Sequence, residues 1–155
     1  MDVIDLLMQQ HREVEALFDA CRAAKDDASK KELCIQLAEA LTLHSTIEER
    51  WVYPVARRVV GDALIHNSIE EHGEMTQLIA QMIRARNDVG QLTSLVGELE
   101  KVVKDHVTVE ERDVLPRLGQ KVTEEDLGMS CKDIVSTASE VRREEMRKLE
   151  GQASV

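Results

Sequence analysis

Apolar residues recur at three- and four-residue steps along the whole chain, and this spacing predicts an all-α protein. Only Pro54 and Pro116 interrupt backbone hydrogen bonding, and the seven glycines are scattered. The pattern places helices at about 2–24, 28–57, 62–87 and 91–118, parted by the KDDAS turn, Gly61-Asp62 and Asn87-Asp88-Val89-Gly90. A fifth, shorter helix is expected to start at the TEED box from Thr123, where threonine caps and the acids favour the positive helix end. It should run towards Leu149 and leave GQASV frayed.

The apolar stripes are broken by polar residues in a repeating way. Leu37, Leu41, His44, Glu48 and Val55 lie on one stripe, and Leu99, Val103, His106 and Glu110 on another. At about 100° per residue, each glutamate stands about 40° from its histidine and one turn along, so each pair shares a core-facing side. His11 sits among Leu7, Val14 and Phe18, and His72 among Ile65, Ile69, Met75 and Ile79.

HSTIEERWVYP at 44–54 recurs as HVTVEERDVLP at 106–116, with seven of eleven positions identical. At nearly the same offset, HREVEALF from His11 aligns with HGEMTQLI from His72. The chain thus reads as two copies of one helical hairpin. Paired about a pseudo-twofold axis they make an up-down-up-down four-helix bundle in which four histidines and two glutamates converge. The expected organisation is a bundle over residues 1–120, with the C-terminal helix and tail, 121–155, packed on the same domain.

Composition narrows the chemistry. At 155 residues the chain can hold a core without staples. Cys21, Cys34 and Cys131 form no CxxC pair, and they read as reduced, largely buried thiols of a cytoplasmic protein. No signal peptide or membrane span is expected. A net charge of −10 and only three aromatics, Phe18, Trp51 and Tyr53, argue against nucleic-acid or anionic-membrane partners.

Unpaired buried carboxylates and imidazoles would cost several kcal/mol, so the inward set must form a polar network or hold metal. Six such groups with matched spacing favour metal. Mixed imidazole and carboxylate donors suit iron or manganese, and no cysteine lies in the motifs to suggest structural zinc. Two histidines and shared carboxylates for each metal imply a dinuclear iron site.

A lone His, then HxxxEE with a following Pro, then a His in an E-E-H context, then HxxxEE with Pro, resembles the hemerythrin-like (HHE cation-binding) family of di-iron four-helix bundles over about residues 7–118. The resemblance implies that His11, His44, His72 and His106 bind iron terminally, that Glu48 and Glu110 bridge the metals, and that the pair is oxo- or hydroxo-bridged. It departs from the oxygen carriers in two ways. Ser68 and Thr76 flank His72 where carriers have a further histidine, and Glu111, five after His106, is the alternative to Glu110 for the last carboxylate. Fewer imidazoles leave open positions for exogenous ligands.

The remaining polar residues are read as supporting. Glu49 and Glu111 are expected at the surface or paired with Arg50 and Arg112, within reach of the ligands' outer side only. His66 is expected at the surface. Trp51 should roof the site and Tyr53, about 180° from His44, should miss it. Asp113 replaces Trp51 in the second copy, either as a polar group beside one iron or as a solvated residue. The functions in view are a di-iron protein reacting with dioxygen, hydrogen peroxide or nitric oxide in stress protection, with peroxide-consuming activity a candidate. The alternatives are an iron or redox sensor or store, a reversible oxygen binder, and a metal-free helical interaction module.

Overall fold

In the computed structural model, which describes residues 2–153, every element is a helix or the turn that ends one. Helix α1 spans Val3–Ala23, and the Asp2 carboxylate caps it by accepting the Asp5 N–H at 2.8 Å. Asp26 caps α2, Asp27–Ile47, in the same way through Ser29. The chain then runs without a break through a wide π turn, Glu48–Val52, into α3, Tyr53–Val60. Gly61 stops it at φ 93°, a conformation that residues with a Cβ rarely adopt. Helix α4, Asp62–Arg84, and helix α5, Val89–Val109, form the second hairpin, with Asp88 capping α5. A second π turn, Glu110–Val114, leads into the short α6, Leu115–Leu118.

These are the four rods expected, each within about three residues of the sequence reading. Helix α1 lies along α2 and α4 along α5, and the hairpins meet through α2 against α4 and α5.

The C-terminal part differs from expectation. The Thr123 capping box forms, but it starts only one turn, α7, Glu124–Leu127. Gly128 then adopts a left-handed φ of 75° and ends that turn. The long helix starts afresh at α8, Cys131–Ala153, where the Ser130 hydroxyl accepts the Asp133 N–H. With 23 residues it equals α4, so it is not short. Helix persists to Ala153 where fraying was expected from Gly151, and residues 154 and 155 lie outside those described.

The core is two apolar clusters rather than one. Phe18, Leu37, Ile79 and Leu99 lie in the first, towards the hairpin turns. Leu7, Ile47, Ile65 and Leu118 lie in the second. Helix α8 packs on α2 and α4 and spans both, with Ile134 and Ala138 in the second cluster and Met146 in the first. Among the described residues no helix is long and apolar enough to cross a membrane.

Since Ile134 is fully buried, Ile134→Ala should cost about 2–5 kcal/mol in urea denaturation. A near-neutral result would show that α8 is an appendage and not a wall of the core.

Candidate metal centre

Between the two apolar clusters lies a layer of buried polar side chains. His11, His44, His72 and His106 are at most 5% exposed, and Glu48 and Glu110 are sealed completely. All six residues expected from the sequence are brought together here. Their donor atoms form two overlapping groups, His11–His44–Glu48–Glu110 and His72–His106–Glu48–Glu110, each with its atoms within 4.8 Å of one another. The two glutamates belong to both groups, as a dinuclear site requires. His11 Nε2, Glu48 Oε2 and Glu110 Oε2 are buried without a hydrogen-bond partner. Such atoms are costly unless something else occupies their lone pairs, and a cation fits this mixed nitrogen and oxygen set. The void beside the four rings is only about 10 Å³ and is walled by Val14, Leu41, Met75, Val103 and Val107.

Each glutamate opens a π turn. In each, the wide turn closes with an i to i+5 bond, Tyr53 N–H to the Glu48 carbonyl and Leu115 N–H to the Glu110 carbonyl. The cause is one residue further on, in Pro54 and Pro116. An α-helix would drive each proline ring against the carbonyl four residues back and leave that carbonyl without a donor. Widening the turn avoids the clash, and it withdraws about 100° of rotation from everything beyond.

That rotation corrects two expectations. Trp51 does not roof the site but lies half-buried against the second apolar cluster. Tyr53, expected to face away, is fully buried with its hydroxyl 3.3 Å from His72 Nε2 and the buried Ser68 beside it. It adds a seventh polar group at one end of the layer. The second repeat has Leu115 there, so the two ends differ chemically.

Three of the four histidines are hydrogen-bonded from behind. Nδ1 of His11 bonds Glu111 at 2.7 Å, Nδ1 of His44 bonds the Gln10 amide oxygen at 2.7 Å, and Nδ1 of His106 bonds Glu71 at 3.1 Å. Nδ1 of His72 has Glu49 at 3.6 Å. An oxygen accepting from Nδ1–H leaves Nε2 free to face inward and makes it a stronger donor. Gln10 aligns with Glu71 when the two copies are superimposed in sequence, and Glu49 with Glu111, so this outer set follows the same repeat as the inner one.

Glu111 therefore pairs with His11 and Arg12 rather than with Arg112, whose partner is Asp113 at the surface. Glu110, not Glu111, lies in the donor layer. His66 is exposed beside Glu70. Gln10 and Glu71 were not singled out, although aligning the two repeats pairs them directly.

Protons are distributed unevenly over the layer. Burial and the neighbouring His44 lower His11 to about 4. Burial would lower His72 too, but the hydrogen bond to Glu48 and the nearby Glu49 carboxylate raise it to about 9. His106 is likewise desolvated yet reaches about 12 through Glu110, Glu48 and Glu71. Two facing carboxylates cannot both stay ionised, and burial together with the Glu48 charge raises Glu110 to about 8. Glu48 is just as buried, yet His44 and Glu110 hold it well below the usual carboxylate range. Burial and the two glutamates also push the Tyr53 hydroxyl well up.

The comparisons agree with this geometry. The family model of the Hemerythrin HHE cation binding domain matches residues 2–118. A DNA nickase of Nostoc sp. is 24% identical over 154 residues, 99% of this chain but 43% of that protein, so the chain spans less than half of its relative's length. The crystal structure of a hemerythrin HHE cation-binding domain-containing protein from Mycobacterium kansasii superposes with a TM-score of 0.66 at 18% identity, covering 98% of this chain and 89% of that one. It shares the fold, the region of α8 included.

At pH 7 the layer holds protons on His72, His106 and Glu110, and metal must displace them. Loading with a divalent metal in weak buffer should therefore release about three protons per chain, or about four if Tyr53 also gives up its own. Tyr53→Phe separates the two cases. Apparent affinity should fall as pH falls, and a pH-independent titration would contradict the assignment.

Proposed function

For a chain that belongs to the hemerythrin family of HHE cation-binding domains, we propose that the six buried donors hold two iron ions and that the centre reacts with dioxygen, hydrogen peroxide or nitric oxide, in protection against oxidative or nitrosative stress. The observation that carries this reading is the pair of donor groups sharing Glu48 and Glu110, with a void of about 10 Å³ beside the four imidazoles. That volume is on the order of one water, so only the smallest ligands suit it and an organic substrate does not.

When bound, the two irons supply the electrons and Lewis acidity for reducing such a ligand. The chain supplies the surroundings. His11 and His44 would hold one metal and His72 and His106 the other, with Glu48 and Glu110 available to both. Glu111, Gln10, Glu49 and Glu71 orient the imidazoles from behind. Apolar walls exclude bulk water, which strengthens every charge interaction inside. The Tyr53 hydroxyl, 3.3 Å from His72 Nε2 and kept protonated by burial, is placed to give a proton at that end of the layer.

A cleft adjoins the void. It has a volume of about 200 Å³ between α2, α4 and α8, is lined by Arg50, Thr76, Val141 and Glu145, and shares Leu41, Ser45 and Met75 with the walls of the void. Helix α8 forms one side, so the extra helix bears on access.

A serine at position 68 in place of a further imidazole favours reaction over storage of oxygen. Purified protein reconstituted with Fe(II) should contain about two irons per chain. His44→Ala, His72→Ala, His106→Ala and Glu48→Ala should lose iron and thermal stability together, because metal bound only to the folded chain stabilises it. Anaerobic ferrous protein mixed with oxygenated buffer should oxidise without a spectrum that argon reverses, and the oxidised protein should consume hydrogen peroxide. An argon-reversible spectrum would show a carrier. Peroxide loss no faster than with free iron would favour a sensor. Ser45→Leu should slow ligand reaction while keeping the iron, if the cleft is the route.

A further inference from the structure

The antiparallel register of α1 and α2 carries a second consequence, away from the histidines. His11 and His44 face each other, with ring centroids 4.8 Å apart. Stepping along both helices from that pair sets Val14 against Leu41, Phe18 against Leu37, and then Cys21 against Cys34. All six residues are buried in the first apolar cluster. Each cysteine is ten positions from its histidine, which places the thiol pair about 15 Å from the donor layer.

Packing does not require sulfur there. The equivalent positions of the second hairpin are Met82 and Val96, both buried and apolar. The cysteines also line a cleft of about 300 Å³, and its rim bears Arg22, Lys30 and Glu100. Glu100 and Asp19 hold the Arg22 guanidinium by ion pairs. Both cysteine residues are 6% exposed. Cys131, the remaining cysteine, is on α8 in the other half of the molecule.

We propose that Cys21 and Cys34 form a peroxide-oxidisable dithiol, closing to a disulfide that staples α1 to α2 at the turn end of the first hairpin. Cys21 is the attacking thiol. The facing Cys34, with Arg22 and Lys30, lowers the Cys21 pKa against the opposing effects of burial and Glu100, while Cys21 and burial raise that of Cys34. This is the division of labour of an attacking and a resolving cysteine.

The chemistry balances with a hydroperoxide as oxidant. The Cys21 thiolate sulfur attacks one peroxide oxygen, an S–O bond forms, the O–O bond breaks, and the departing hydroxide takes up the thiol's proton as water. The Cys34 sulfur then attacks the sulfenic sulfur. An S–S bond forms, the S–O bond breaks, and the second water leaves with the Cys34 proton. Two thiols lose two electrons, and one peroxide becomes two waters.

Full-length protein, as purified and after chelator treatment, tests this independently of iron. A few equivalents of hydrogen peroxide should lower titratable thiols from three to one. Non-reducing digestion should then give a single peptide pair joining Cys21 to Cys34. In Cys34→Ser, dimedone should label Cys21. In Cys21→Ser, neither a disulfide nor labelling of Cys34 should occur. The proposal is overturned if all three thiols survive peroxide that oxidises free cysteine, if the disulfide involves Cys131, or if dimedone labels Cys34 and Cys131 as readily as Cys21. The wild-type readouts stand even if a variant fails to fold.

Discussion

Six ionisable groups are buried in one layer across this bundle, and most of what is distinctive about the fold follows from the need to satisfy them. Isolated in a dry interior, each would cost several kcal/mol. Metal can meet that cost, and so can protons shared among neighbours. Either way the layer cannot also be packed by aliphatic side chains, which is why the core divides into two apolar clusters. The π turns beside this layer have a separate cause. Glu48 and Glu110 face inward one turn beyond their histidines, and Pro54 and Pro116 force the widening that turns the following residues away from an ideal α-helical course.

The twofold repeat solves a geometric problem economically. One hairpin offers two imidazoles and one carboxylate on one side. A second copy, turned to face it, completes both donor groups and brings each glutamate between the two. The outer partners cross the interface in the same symmetrical way: Glu111 of the second copy steadies His11 of the first, and Glu49 of the first approaches His72 of the second. The offset between the copies grows by one position from His11 and His72 to His44 and His106, because the turn before α5 is one position longer than the turn before α2. Departures from symmetry are then informative. Glu71 stands where the first copy has Gln10, Tyr53 where the second has Leu115, and Ser68 where the first has the apolar Leu7. All three changes add charge or hydrogen-bonding capacity to the His72–His106 end, so the two metals would not be equivalent.

The four rods and the inward faces of the six polar residues were legible because period and repetition are properties of the linear string. Tyr53 and Trp51 were not, since each angle was counted on an ideal helix, and the π turn inserts a residue that no local apolar pattern announces. Gln10 and Glu71 were missed for another reason. Each precedes a histidine by one residue, about 100° from it, and looks solvent-facing until the neighbouring helix is in place. Helix α8 was misjudged at its start because the Thr123 box is a sound cap for a turn that Gly128 ends at once.

The protonation of the layer bears on how such a site can be filled. His72, His106 and Glu110 hold protons near neutral pH, and Glu48 remains the anion among them. Those protons stand in for part of the positive charge a metal pair would bring, so the folded chain has a way to tolerate its buried carboxylates before metal arrives. Small metal sites whose ligands cannot be compensated like this fold only with their metal. Here α8 and two apolar clusters supply the fold, and protons supply provisional charge. The layer can therefore be assembled in advance, and metal enters by exchange with protons rather than by organising an unfolded chain.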